Sequence, residues 1–464
     1  MPPSPSDTRD IDLQDPLHFI GIGGSGMSAL AELAHRRGLK VRGSDARASV
    51  VTERLSALGI PISLGHAASA VEGAVTVVRS SAILEGNPEL AAARSRKLTV
   101  LHRSELLAAL MKGKRAVTVA GTHGKSTTSA MIVHVLESLG VDPEAALGGA
   151  MRQYQSAARA GKGDVFVAEA DESDGSFLRY QPFVAVVTNV DQDHMEYFKD
   201  TRGLERAFAE HLGKIDPEGV AVVGWDSPML RQAAASLGAR RLAYGFLIGC
   251  DVRAVDYRCD QGETLFTAMV ERDRVECCLP TLGKHNVQNA LAALAVVRGL
   301  ELDVHAAAEA LASFPGVERR MNLVHKSAEV AVFDDYAHNP GKIAACVRAL
   351  RDSFKERQLH VIYQPHRYSR LETMYDDMLN AVSSADLVHM LPVYSAGETS
   401  VQDFSPARLA ADLTHRFGVR SIACDSFEAA TASVLGNLKP PAVVLTVGAG
   451  DVWKAAGLLR DQLE

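Results

Sequence analysis

The chain has 464 residues, enough for about three domains of ~150 residues each. Lys+Arg 49 against Asp+Glu 56 leaves a net charge of −7, which argues against a general nucleic-acid binder or a binder of acidic membranes. Hydrophobic residues at 47% and charged residues at 23% are ordinary for a globular protein and exclude a collagen, a coiled coil or a membrane protein.

No apolar run approaches the ~20 residues needed to span a bilayer. The polar start, residues 1–16, lacks a basic-then-apolar leader pattern and reads as a disordered tail. Six scattered cysteines without a C-x-x-C pair point away from a disulfide framework or zinc site and toward a reducing cytoplasm.

From Leu17 onward, short β-branched runs alternate with Ala/Leu-rich helical stretches. The runs are Leu17 to Ile22, Ala74 to Val78, Ala116 to Ala120, Val165 to Ala168, Phe183 to Thr188, Val330 to Phe333, Leu359 to Tyr363 and Val443 to Val447. Continuous apolar strands, each followed by a helix, predict parallel sheets covered on both faces, the α/β class. Breaks are expected near 113, at Lys112-Gly113-Lys114-Arg115, and near 316, at Phe314-Pro315-Gly316-Val317. The expected domains are therefore 17–112, 113–316 and 317–464.

The first strand runs into Gly21-Ile22-Gly23-Gly24-Ser25-Gly26, and Asp45 follows Gly26 by 19 residues. G-x-G-x-x-G spacing between strand and helix lets backbone N–H groups and a helix N-terminus approach a diphosphate. NAD and a UDP-sugar satisfy this loop equally, and a tight turn without ligand is the plain alternative.

A second loop, Gly121-Thr122-His123-Gly124-Lys125-Ser126-Thr127-Thr128, follows the strand Ala116 to Ala120. Backbone amides would wrap phosphates, Lys125 would reach their outer oxygens, and the Ser126 hydroxyl suits Mg²⁺. The next strand ends at Glu169-Ala170-Asp171-Glu172-Ser173-Asp174. Glu169, at a strand's C-terminal end, is the expected Mg²⁺ carboxylate; Asp171, Glu172 and Asp174 line the mouth or stay solvated. Asn189-Val190-Asp191-Gln192-Asp193-His194 follows another strand, and His194 could ligate a second metal or orient a substrate.

Further on, Gly283-Lys284-His285-Asn286-Val287-Gln288-Asn289 opens an apolar helix. Asn286 could cap that helix, and His285 and Asn289, at i and i+4, could present an amide to an adenine edge. Arg319-Arg320, then Asp334-Asp335-Tyr336-Ala337-His338-Asn339-Pro340, then Gln364-Pro365-His366-Arg367-Tyr368-Ser369-Arg370 occupy strand ends. Arg367 and Arg370 can fork onto a carboxylate or phosphate.

With Val393 to Glu398 and Gly448 to Asp451, these segments in this order resemble the Mur ligase family over nearly the whole chain, nearest its alanine-adding members. The resemblance implies an N-terminal Rossmann-like UDP-binding domain, a central P-loop ATPase-type α/β domain and a C-terminal Rossmann-like domain. It implies an ATP-dependent ligase of peptidoglycan precursor synthesis, joining L-alanine to the lactyl carboxylate of UDP-N-acetylmuramate through an acyl phosphate. It further implies a cytoplasmic monomer or weak homo-oligomer.

By the same resemblance, Gly23, Gly24, Ser25, Gly26, Met27, Ser28 and Asp45 hold the UDP-sugar. Gly121, Thr122, His123, Gly124, Lys125, Ser126 and Thr127 hold ATP, with Asn289 on adenine, Arg320 on the γ-phosphate, and Asp335 and His338 beside the nucleotide. Lys125, Glu169 and His194 form the catalytic set, with Ser126, Glu169 and His194 as metal ligands. Arg367 and Arg370 hold the amino acid's carboxylate.

Two departures stand out. Ser126 replaces the usual threonine, and Tyr336-Ala337-His338-Asn339-Pro340 looks more like tripeptide-adding relatives. A ligase adding another amino acid or a preformed peptide is the nearest alternative. A nicotinamide-dependent oxidoreductase and an inert nucleotide-binding regulator are remote ones.

Overall fold

The computed structural model describes residues 13–191, 195–235, 237–260, 262–400 and 402–464. Three sheets carry the fold, each built around apolar strands. The first has the spatial order Ile62–Leu64, Val41–Asp45, Leu17–Ile20, Thr76–Arg79, Thr99–His102, with every pair parallel. Successive strands are added on one side of Leu17–Ile20 and then on the other, so this strand marks the switch point, where a crevice opens at the carboxyl ends.

The ten-stranded middle sheet places Arg115–Ala120 between Val184–Val187 and Val165–Glu169, parallel to both. Its switch point therefore falls at the end of Arg115–Ala120. All four residues of Val184–Val187 are buried, as a parallel strand covered on both faces requires. The third sheet runs Asn322–Lys326, Val330–Asp335, Ala442–Val447, Gln358–Tyr363, Leu387–Met390, Ser421–Ala423.

The expectation of wholly parallel sheets fails at the edges. Ser156–Arg159 and Asn322–Lys326 pair antiparallel with their neighbours. Val252–Asp260, Glu263–Val270 and Asp273–Leu279 extend the middle sheet as consecutive neighbours. Edge strands can expose one face, so they carry mixed polar and apolar residues and lack the continuous apolar run used to find the others.

Gln14 and Pro16, within the expected tail, pair with residues 75 and 76. Residues 1–12 lie outside the described ones, but Gln14 O accepts the Thr76 hydroxyl at 2.8 Å and Pro16 O accepts the Val75 N–H at 3.0 Å.

By packing alone the chain divides into two compact units. One holds residues up to 256 with 267–277 and 288–315; the other holds 257–266, 278–287 and 316–464. The first sheet and most of the middle sheet share a unit, and the helix Ser25–Arg36 serves both. Its Glu32, 2% exposed, accepts hydrogen bonds from Arg36, Arg54 and Ser156. Arg37, just beyond the helix, grips Glu144 of the middle sheet with two bonds of 2.7 and 2.8 Å. Buried carboxylates need such partners.

The second unit buries a histidine pair on adjacent strands. His360 Nδ1 and His389 Nε2 lie 3.1 Å apart, and Ser433 Oγ is 3.0 Å from His389 Nδ1. Both residues are fully buried, and burial lowers their pKa values to about 4 and about 3. A depressed histidine pKa means the unfolded chain takes up protons first as pH falls. Stability should be fully present above pH ~6.5 and fall toward pH 4, by roughly 2 to 3 kcal/mol per histidine. Calorimetric melting between pH 8 and 4 checks this; His360→Leu/His389→Leu should flatten the profile.

Candidate active site

The first glycine loop leaves Leu17–Ile20 at the crevice predicted by strand order. Gly23 N–H donates to Asp45 Oδ2 at 2.9 Å, and Ser28 Oγ donates to Ser25 O at 3.1 Å. Asp45 and Ser28 thus brace the loop from within. No side chain caps the helix at Gly24, so its first N–H groups point at the crevice. Gly24, Ser25, Gly26 and Met27 line a cavity of about 450 Å³, whose lining also includes Glu169 and Asp171. The first loop and the acidic segment therefore open onto one space.

The second loop is cradled by the segment Thr188-Asn189 that precedes His194. Thr122 N–H donates to Asn189 O at 3.1 Å and His123 N–H to Asn189 Oδ1 at 2.9 Å, while Thr188 Oγ1 donates to His123 O at 2.6 Å. Gly121 has φ +125, and a Cβ there would lie 2.2 Å from Thr188 Oγ1, so only glycine fits. Gly124, φ +85, precedes the helix Lys125–Ser138, which buries Ser126 and Thr128 and leaves Thr127 half-buried. His194 lies outside the described residues.

Lys125 Nζ donates to Gly121 O at 2.6 Å and to Glu172 Oε1 at 2.8 Å. Burial works against the ammonium, yet the carboxylates of Glu172, Glu169 and Asp171 outweigh it and hold the Lys125 pKa above its ordinary value. Burial also raises Glu172, against the pull of Lys125. Glu172 is 1% exposed, so it neither lines a wet mouth nor stays solvated; it is the inward partner of the loop lysine.

Glu169 stands in register with Val119, at the carboxyl end of the strand next to the loop. Its Oε2 accepts the Gly148 N–H at 2.9 Å. Asp171 instead turns to Arg103, whose Nη2 is 2.7 Å from Asp171 Oδ2. Asn289 is buried, and its Oδ1 accepts the Thr128 hydroxyl at 3.0 Å beside Gly124.

Arg320, Asp335, His338, Arg367 and Arg370 belong to the second unit. Asp335 is buried and accepts the backbone N–H groups of Met321 and Ala337, both at 2.7 Å. Arg319 is the more heavily engaged of the arginine pair, bonded to Asp334, Gly448 O and Gly450 O; Arg320 lies over the Tyr336 ring. His338 Nδ1 lies 3.0 Å from Tyr336 O, and burial lowers its pKa to about 4.

Arg367, φ +68, precedes the helix Tyr368–Asn380 and is exposed. Arg370 Nη1 reaches His366 O at 3.2 Å, so the two arginines share one helix start. Asn286 does not cap its helix: it lies inside the first turn, and its Nδ2 donates back to Leu282 O. Asn339, by contrast, is a true cap, accepting the Lys342 N–H at the start of Pro340–Ser353.

Comparison with known proteins places these features in a family. Residues 16–115 match the Mur ligase family, catalytic domain; residues 119–297 match the Mur ligase middle domain; residues 319–450 match the Mur ligase, glutamate ligase domain. The chain is 39% identical over 450 residues to a UDP-N-acetylmuramate–L-alanine ligase of Syntrophotalea carbinolica, covering 97% of this chain and 98% of that protein. It is 42% identical to the enzyme of that name from Cereibacter sphaeroides, covering 94% and 95%. The crystal structure of UDP-N-acetylmuramate-alanine ligase from Thermotoga maritima superposes with a TM-score of 0.83 at 28% identity, covering 96% and 98%.

Proposed function

The chain belongs to the Mur ligase family, and we propose that it joins L-alanine to the lactyl carboxylate of UDP-N-acetylmuramate at the expense of ATP, in peptidoglycan precursor synthesis. The observation that carries this reading is the shared cavity. A loop shaped for a diphosphate and the carboxylate beside a triphosphate loop face one space of about 450 Å³. A UDP-sugar held at the first loop can thus extend its acid group toward the γ-phosphate.

In the first step a lactyl carboxylate oxygen bonds to the γ-phosphorus while its bond to the β,γ-bridging oxygen breaks, and ADP leaves. The amine of L-alanine then attacks the acyl carbon, phosphate departs, and the amine loses a proton. The first step brings anion to anion, so the protein must neutralise charge that moves during transfer. Lys125 does so at the γ-phosphate, assisted by Arg320. The loop Gly121 to Thr127 wraps the phosphates, with donors from the backbone at the uncapped start of the helix Lys125–Ser138, and Asn289 steadies that loop while facing adenine. Asp335 and His338 serve the nucleotide, and Arg367 and Arg370 grip the carboxylate of alanine.

The donor set fits Mg²⁺. Ser126 and Glu169 offer hard oxygens, the type Mg²⁺ takes with phosphate oxygens and water. Among the described residues no group of three or more His, Cys, Asp or Glu is arranged to hold a metal by itself. Bound Mg²⁺ would add positive charge on the phosphate oxygens. His194 is assigned to a second metal by family resemblance alone.

The Tyr336 to Pro340 segment does not speak for a peptide acceptor. Its Ala337 is buried at 1% exposure and its Asn339 caps a helix, so both differences have local structural reasons. Among the described residues no helix is long and apolar enough to cross a membrane. We read the enzyme as a cytoplasmic monomer or weak homo-oligomer.

The deciding assay is phosphate release with ATP, Mg²⁺ and UDP-N-acetylmuramate, offered alanine, glycine, serine or a tripeptide in parallel. Release should need all components and be fastest with alanine. Equal or faster release with the tripeptide would sink the assignment.

A further inference from the structure

One basic residue in the cavity wall has no part in the scheme above. Arg103 opens the helix Arg103–Met111 directly after the first-sheet strand Thr99–His102, at the carboxyl-end crevice. A Cβ on Gly26 would lie 3.5 Å from Arg103 Nη1, so the guanidinium stands over the uncapped start of the helix Ser25–Arg36. Two positive features, a helix N-terminus and a guanidinium, converge on one part of the cavity.

The present partners of Arg103 are carboxylates. Its Nη2 is 2.7 Å from Asp171 Oδ2 and 3.8 Å from Asp174 Oδ2. Asp171 Oδ1 also accepts the Ser173 N–H, and Asp174 accepts the Ser81 hydroxyl and the Ser176 N–H. The adjacent His102, lowered by burial to about 4, is neutral at pH 7. Arg103 thus faces two carboxylates that would repel an incoming diphosphate. A guanidinium carries five N–H donors in a fork that fits phosphate oxygens, and among the described residues this fork donates one hydrogen bond.

We propose that Arg103 binds the diphosphate of the UDP-linked substrate and releases Asp171 to do so, which makes Asp171 an internal competitor of the substrate. The inference rests on the functional reading above. It differs from a structural latch in the sign of one measurement. If Arg103 and Asp171 only hold the loop 169–174 in place, removing either weakens substrate binding. If they compete as proposed, the two removals act in opposite directions.

The experiment is titration calorimetry on the full chain with UDP-N-acetylmuramate, UDP and a non-hydrolysable ATP analogue. Arg103→Gln should weaken UDP-N-acetylmuramate and UDP by about 10- to 100-fold, the loss of charge-assisted hydrogen bonds. Arg103→Lys should recover part of that loss, and the ATP analogue should shift less than twofold. Asp171→Asn should tighten both UDP ligands by roughly threefold or more as local repulsion falls. Weaker UDP binding in Asp171→Asn overturns the competition. A loss in Arg103→Gln confined to UDP-N-acetylmuramate and absent with UDP overturns the diphosphate as the group bound. Wild-type protein that binds no UDP-N-acetylmuramate overturns the functional reading itself, whereas wild-type binding left unchanged by Arg103→Gln overturns only the role of Arg103.

Discussion

Lys125→Ala is expected to slow phosphate release about 10³-fold while the Kd for UDP-N-acetylmuramate stays within a few-fold of wild type. The lysine reaches into the second loop, whereas the UDP-sugar is proposed to bind at the first. Single-turnover release and calorimetry separate the two effects.

The structure adds a complication that the loop motif does not disclose. Lys125 is bonded to Glu172, which is buried, so removing the ammonium strands a buried carboxylate. Breaking a buried pair from one side costs roughly 3 to 5 kcal/mol. Burial then raises Glu172 without opposition from Lys125, so in the variant the group is readily protonated in the folded state. A raised carboxyl pKa gives stability that is present at low pH and lost as pH rises. Lys125→Ala should therefore be closest to wild-type stability near pH 5 and furthest from it near pH 8. Lys125→Ala/Glu172→Gln should recover the melting temperature at pH 8 but none of the turnover. Turnover that returned with stability would remove Lys125 from the chemistry and leave it a structural residue.

What the sequence disclosed and what it withheld follow from the kind of signal each feature leaves. Buried parallel strands must be apolar on both faces, so Val184–Val187 and Ala442–Val447 are visible as continuous runs. Phosphate loops need glycine where backbone turns tightly, so Gly121 and Gly124 mark their own position. Acidic residues leave no such mark. Asp171, Glu172 and Asp174 look interchangeable in the chain, yet one is buried against Lys125 and the other two face Arg103. Only the backbone turn after Glu169 decides which way each points.

Arg103 escaped for a related reason: a single arginine in an ordinary helix start belongs to no motif. Its one legible sign was position, directly after a parallel strand, at the end where ligands bind. Arg319 and Arg320 show the limit from the other side. They are neighbours of identical chemistry and both lie over the Tyr336 ring, and geometry alone assigns Arg319 to bracing Gly448 and Gly450.

Glu169→Gln should lower turnover by about 10²- to 10³-fold and raise the Mg²⁺ concentration needed for half-maximal nucleotide binding. The amide keeps the shape and loses the charge, so a change in Mg²⁺ dependence separates ligation from packing. Gly148→Ala tests the same carboxylate without altering it. A Cβ there would lie 2.6 Å from Glu169 Oε1 and 2.8 Å from both Cδ and Oε2, so the carboxylate must swing away. Gly148 is exposed, and its N–H now fixes Oε2 at 2.9 Å. The expected result is a fold nearly as stable as wild type with turnover down by as much as about 10²-fold, the cost of misplacing a charged group by roughly 1 Å. Extra Mg²⁺ should rescue Gly148→Ala better than Glu169→Gln, because a displaced carboxylate can return to a ligand and an amide cannot regain its charge. Equal rescue of both, or of neither, would show that Glu169 acts through packing rather than through the metal.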